Sequence, residues 1–397
     1  STQIDVKTAK AALFPSLSFS TSQQVVNRPY QETSSRVSGS EIISSNSKTS
    51  YNGNYGLNAS WTLYNGNKRL KTIQQEKLNN QMAELDVATS ENNIQESIAQ
   101  VYIQILYAAE SVKVNESTLQ VSIAQRDRGQ ELLNAGSIAK SDFAQLEAQV
   151  STDRYQLVTA QATLEDYKLQ LKQLLELDGE NEMNIYLPAL SDENVLSPLP
   201  AKRDVYVSAL ALRPEIEASK LNVNASELGI DIAKSGYLPT VSLSAGIGTN
   251  HTSGSDFTFG EQVKNGWNNS IGLSVSVPIF NNRQTKSAVQ KAKLQYETSM
   301  LSLLDEQKAL YKTIEGLWLD ANSAQQRYAA ANEKLKSTQI SYNLISEQFN
   351  LGMKNTVELL TEKSNLLQAQ QEQLQAKYMA ILNTQLLKFY QGDKLAL

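Results

Sequence analysis

One imidazole, no thiol and many carboxylates make up the reactive inventory of this 397-residue chain. His251 is its only histidine, cysteine is absent, and Asp and Glu together number 41. Hydrolytic catalysis sets a nucleophile beside a base, or two carboxylates in one pocket. One imidazole and no thiol exclude most such pairs, and the carboxylates fall on the charged faces of helical repeats, where solvation is their ordinary role. No glycine-rich phosphate loop follows a strand. The chain is therefore not expected to be an enzyme or to hold a cofactor or metal. His251 reads as a plain residue of a polar loop. The net charge of -5 comes with no basic stripe, so no nucleic-acid partner is expected.

The elements that carry these residues show themselves by periodicity. Only 41% of the residues are hydrophobic, lean for one globular core of this length but suited to long helices that bury a narrow seam. No run reaches 18 apolar residues, which excludes a membrane-spanning helix and leaves a soluble protein or a β-barrel. Ser1 to Pro15 has no apolar stretch of the signal-peptide kind, so the chain reads as a mature protein or a fragment of one.

The sequence repeats itself. Tyr55-Gly56-Leu57-Asn58-Ala59-Ser60-Trp61 corresponds to Ile271-Gly272-Leu273-Ser274-Val275-Ser276-Val277, an offset of 216. The same offset sets Val101-Tyr102-Ile103 on Leu317-Trp318-Leu319, Asn134-Ala135-Gly136 on Asn350-Leu351-Gly352, and Asp142 on Glu358. Upstream the offset is 224, carrying Phe14-Pro15 onto Leu238-Pro239. The stretch from about Asp204 to Asn224 has no counterpart at the front, so the opening of the first repeat is expected ahead of Ser1.

Each repeat reads as helix, strand, strand, long helix, long helix. Repeat 1 is expected over 1–179, with the end of a first helix, strands at about 15–30 and 50–64, and helices at about 66–134 and 138–177. A proline-bearing linker follows over 180–203. Repeat 2 covers 204–397, with a helix at about 204–236, strands at about 239–250 and 267–281, and helices at about 283–350 and 355–391. Alternation marks the strands: Tyr55, Leu57, Ala59, Trp61 and Leu63 against Gly56, Asn58, Ser60 and Thr62. A soluble sandwich and a membrane barrel both show this pattern. The segments at 21–50 and 248–266 read as polar loops. Trp61, Tyr64, Trp267 and Phe280 stand near strand ends, where an interfacial aromatic girdle would lie. The helices carry spacings of three and four, as in Phe143, Leu146, Val150, Asp153 and Leu157, a coiled-coil seam. The helix expected over 66–134 spans roughly 100 Å. Asn and Gly at 134–136 and 350–352 read as helix-ending turns.

Four strands do not close a barrel, and open edges are not tolerated in lipid. Two copies would give a lumen filled by side chains. The Ser/Gly face argues for an open pore, hence three copies and a shared twelve-stranded barrel.

At this point the sequence resembles the TolC family of outer-membrane efflux proteins. The residues that carry the resemblance are Arg213-Pro214-Glu215 opening a helix, Tyr237-Leu238-Pro239 before a strand, Val277-Pro278-Ile279-Phe280-Asn281 closing a hairpin, and the tips Gly136-Ser137-Ile138-Ala139-Lys140-Ser141-Asp142 and Gly352-Met353-Lys354-Asn355-Thr356-Val357-Glu358. The resemblance implies an α+β membrane protein. Four strands per protomer would join a trimeric twelve-stranded outer-membrane β-barrel, continued by a long periplasmic α-helical coiled-coil tunnel. It implies an exit duct of a tripartite efflux or type I secretion system, in the outer membrane and extending into the periplasm. The implied partners are two further copies, a periplasmic adaptor, an inner-membrane pump of resistance-nodulation-division or ABC type, and outer-membrane lipid. The tips Gly136, Ser137, Ile138, Gly352 and Met353 would meet the adaptor. Asp142, Lys354, Glu358 and Phe349 fall at the family's periplasmic gate, with Lys354 linking to Asp142 and Glu358 lining the constriction. As ordinary charges at helix ends, Lys354 and Asp142 would contribute only about 0–1 kcal/mol if paired. The alternative is a self-assembling helical filament subunit of the flagellin kind, also cysteine-free and rich in Asn, Gln and Ser.

Overall fold

The computed structural model describes residues 1–30, 34–38, 41–45, 48–177, 185–186, 195–255 and 257–395. In chain order the elements are α1 (Thr2–Ala11), β1 (Ser16–Asn27), β2 (Ser34–Ser38), β3 (Glu41–Ser45), β4 (Thr49–Asn65), α2 (Lys68–Asn134), α3 (Lys140–Leu174), α4 (Lys202–Leu212), α5 (Pro214–Lys234), β5 (Thr240–Thr252), α6 (Phe259–Asn265), β6 (Asn268–Ser276), α7 (Gln284–Asn350) and α8 (Thr356–Gln391). The chain forms two compact units, 1–84 with 218–303, and 85–217 with 304–397. The units cut across the sequence repeats: strands of both repeats share one sheet, and helices of both share one bundle.

In the first unit the strands run in the order β1-β4-β5-β6, all antiparallel, with β4 and β5 joining the repeats. Leu57 faces Ile247 and Trp61 faces Leu243 across that junction, and Leu243 faces Leu273. One face is therefore apolar and the other carries Ser, Asn and Gly. On the apolar face Leu17, Phe19, Ile271, Leu273 and Val275 are between 60% and 79% exposed. A sandwich would bury these side chains against a second sheet, and no other described sheet of the chain covers them.

The pairing extends beyond the apolar alternation because a ladder is made of backbone hydrogen bonds. β1 ends at Asn27, within the strand expected over about 15–30, and β5 at Thr252, just past the expected 250; β2 and β3 pair separately inside the stretch expected to be a polar loop. His251 is thus a strand residue, stacked on Tyr55 with ring centroids 5.9 Å apart and packed edge-on to Phe259 at 5.1 Å. α6 was also not expected; Thr258 and Glu261 close a reciprocal capping box at its start.

Two further departures are local. A bulge falls between Thr62 and Tyr64, leaving Leu63 unpaired and setting Tyr64 opposite Val241 on the apolar face. β6 stops at Ser276, short of the expected 281, because Pro278 has no N–H for the ladder.

The second unit is helical. α2 and α7 are 67 residues each, and among the described residues no helix is apolar enough to cross a membrane. The helix expected over 204–236 is two helices, because Pro214 forces Arg213 into extended backbone and then opens α5. Buried Arg213 bonds Glu96 at 3.1 Å and Glu215 at 2.8 Å and lies 4.2 Å from the Tyr390 ring. The two larger apolar clusters of the core are one around Ile103, Leu106, Tyr328 and Ile381 and one around Val205, Ile216, Ile314 and Leu387. Each such side chain contributes about 1.5–3 kcal/mol on burial. Most of the linker at 180–203, Pro188 included, lies outside the described residues. Its end is tied to α7, with the Gln325 amide donating to the Val195 and Ser197 carbonyls at 2.9 and 2.8 Å and the Trp318 indole to that of Pro200 at 3.1 Å.

Candidate functional site

Both helix turns in the second unit are built the same way. Gly136 and Gly352 have φ of +72° and +74°, the left-handed conformation that favours glycine. The Ser137 N–H donates to the Leu132 carbonyl at 2.8 Å and the Gly136 N–H to that of Leu133 at 3.0 Å. In the second turn Met353 donates to Gln348 at 2.8 Å and Gly352 to Phe349 at 2.9 Å. These paired bonds satisfy the orphan carbonyls at a helix end. They leave Ser137, Leu351 and Met353 exposed, with Ile138 half-buried.

The helices that leave the turns are capped by the repeat-equivalent acids. Asp142 accepts the Ala139 N–H at 3.3 Å. Glu358 accepts the Asn355 N–H at 3.1 Å, while the Asn355 side chain accepts the Glu358 N–H at 2.9 Å, a complete capping box. Lys354 Nζ adds an ion pair to Glu358 at 2.6 Å. The Lys354 hydrogen bond, and then the Asn355 N–H, hold the Glu358 carboxyl below its ordinary range. Among the described residues no ion pair joins Lys354 to Asp142 within the chain. Phe349 is 2% exposed and packs with Leu146 and Leu359, so within one chain it is a packing residue of the tips.

Further from the turns lies a charged layer that motif reading missed. Lys363 of α8 bonds both Asp153 of α3 and Ser122 of α2, and Ser122 also donates to Asp153. Lys363 is 5% exposed and Asp153 1%. Burial pulls the Lys363 ammonium below its ordinary pKa, with Asp153 opposing the pull. Removing one partner of such a pair costs about 3–5 kcal/mol, because the other charge is left buried alone. Two signals were in the sequence: Asp153 interrupts an apolar seam, and Lys363 stands at seam spacing between Leu359 and Leu366.

In the first unit the girdle candidates fall at both ends of the sheet. Trp61 and Tyr64 lie toward the end of β4, with the Trp61 indole donating to the Leu13 carbonyl at 2.7 Å. Phe280 is beyond β6 and exposed, and Trp267 stands just before β6 at the opposite end, also exposed. Among the described residues no group of acids and imidazoles is arranged to hold a metal.

The sequence model of the outer membrane efflux protein family matches residues 1–176 and 205–392. The chain is 24% identical over 294 residues to the outer membrane efflux protein BepC of Brucella suis, covering 74% of this chain and 61% of that one. It is 25% identical over 298 residues to the outer membrane protein TolC of Escherichia coli, covering 72% and 58%. The match thus spans about three fifths of those relatives' lengths. The solved structure of CusC superposes with a TM-score of 0.80 over 99% of this chain and 86% of that one, at 19% identity. That likeness shows a shared fold.

Proposed function

The chain belongs to the outer membrane efflux protein family, and we propose that three copies form an exit duct that carries solutes passively out of the cell. The observation that carries this reading is the sheet. β1 and β6 are edges with one neighbour each, the apolar face is uncovered, and the other face is polar. In lipid both edges need partners, and three copies supply a closed barrel with a Ser/Asn/Gly-lined lumen wide enough to conduct. The protein would lie in the outer membrane, with Trp61, Tyr64, Trp267 and Phe280 at the lipid interfaces and the helical unit in the periplasm.

The helix turns support a gate. Three copies of Glu358 would form an acidic ring that favours cations, and Asp142 of one copy would meet Lys354 of the next when the tips close. The exposed turns around Gly136, Ser137, Ile138, Gly352 and Met353 fit a periplasmic adaptor carried by an inner-membrane pump of resistance-nodulation-division or ABC type. The test is the protein mass by light scattering of the detergent-extracted chain. A mass near three chains supports the shared barrel; a monomer that needs no detergent overturns it.

A further inference from the structure

The buried Lys363–Asp153–Ser122 layer lies where seams of three helices meet. Ser122 continues the α2 series through Asn115 and Leu119, Asp153 follows Leu146 and Val150 on α3, and Lys363 separates Leu359 from Leu366 on α8. Asp153 and Ser122 belong to the hairpin that turns at Gly136, and Lys363 to the hairpin that turns at Gly352. The layer is therefore a charged tie between the two hairpins.

On the turn side of this layer the ties between hairpins are of another kind. Among the described residues they include the apolar cluster of Leu146, Phe349 and Leu359 and a neutral hydrogen bond from the Gln125 amide to the Tyr342 hydroxyl, 2.8 Å. An apolar seam accepts a neighbouring register at modest cost, since one apolar residue replaces another, and packed helices do shift by whole turns. A buried ammonium does not accept it: the α3 seam positions one turn from Asp153 are Val150 and Leu157, so a shifted Lys363 would have no carboxylate beside it. Buried polar residues at seam positions set register for this reason.

We infer that Lys363, Asp153 and Ser122 form a pin that fixes the register of α8 against α2 and α3, so that movement of the two helix turns is confined to the segment beyond the pin. The three act as positioning residues for the proposed gate. This rests on the duct reading only in supposing that the turns move.

The absence of cysteine from these 397 residues makes the test clean. Spin labels at Ser137→Cys and Met353→Cys report the distance between the two turns, and dilution with unlabelled chain restricts it to one copy. The key variant makes the layer apolar, Ser122→Ala with Asp153→Leu and Lys363→Met. A layer of this kind is expected to assemble with undiminished thermal stability, since apolar replacement of a buried pair is often neutral or stabilising. Its distance distribution is expected to gain a second component displaced by about 5 Å, one helical turn. The exchanged pair, Asp153→Lys with Lys363→Asp, is expected to restore the single component. An apolar variant with the unaltered distribution, or an exchanged pair that behaves like the apolar variant, overturns the pin. Should the apolar variant not assemble, Ser122→Ala alone decides, because it removes a hydrogen bond and keeps both charges: broadening supports the pin, an unchanged distribution overturns it. The distances are read in detergent without conduction. A failure of the unlabelled protein to conduct in planar bilayers would count against the duct alone.

Discussion

The turns at Gly136 and Gly352 occupy equivalent places in the two repeats and share one backbone geometry, yet they are held differently. The first helix end is followed by Ala139, which offers no side-chain cap, and Asp142 makes a single bond to its backbone. The second is followed by Asn355 and Glu358, which cap each other, and Lys354 ties Glu358 from outside. Phe349 before the second turn is buried, whereas its repeat partner Leu133 is only half-buried. Duplication thus preserved what the backbone requires, glycine in a left-handed conformation. It did not preserve the side chains that stiffen the turn. The first turn is the one with less to hold it, and local opening should begin there.

Amide hydrogen exchange at the two turns reads this difference directly. The largest effect is expected for Phe349→Ala, which should lower protection around the second turn by about 3–5 kcal/mol, as for a large buried aromatic; Leu133→Ala should cost clearly less. Equal losses would break the asymmetry. Gly136→Ala and Gly352→Ala should each cost about 1–2 kcal/mol, because a Cβ is disfavoured in left-handed backbone. No atom lies within 4 Å to clash with it at either site, so the two costs should match, and a mismatch would show that the backbones are not equivalent after all. Asn355→Ala should remove about 1 kcal/mol of capping, and Ala139→Asn should return a similar amount to the first turn.

The smallest effect is electrostatic. Because folding lowers the Glu358 pKa, its contribution is present above the ordinary carboxylate value of 4.5 and is lost as pH falls through the lowered value. Protection at the second turn, corrected for intrinsic exchange, should therefore decline only below pH 4.5, and Glu358→Gln should abolish that decline. In planar bilayers the same substitution should move the reversal potential away from cation preference; an unmoved potential would remove Glu358 from the constriction.

Much of this architecture could be read along the chain. The repeat offset, the alternation in β4, β5 and β6, the seams of the long helices and the two glycine turns are patterns among near neighbours. The β2–β3 pair and the last residues of β5 were hidden because polar residues pair through their backbones as well as apolar ones. The break at Arg213 was signalled by Pro214, and α6 by Thr258 and Glu261 at capping spacing. Asp142 and Glu358 were visible as charges beside turns, but their capping bonds depend on where each helix begins.

What the sequence by itself determined is therefore local and periodic: which stretches are strands, which are helices, and where they turn. Which surfaces those elements share was decided by tertiary structure. Leu63 drops out of a perfect alternation because its partner strand lacks a matching residue. Lys363 is buried beside Asp153, 210 positions away along the chain, and only packing three helices at one level turns two ordinary seam interruptions into an ion pair.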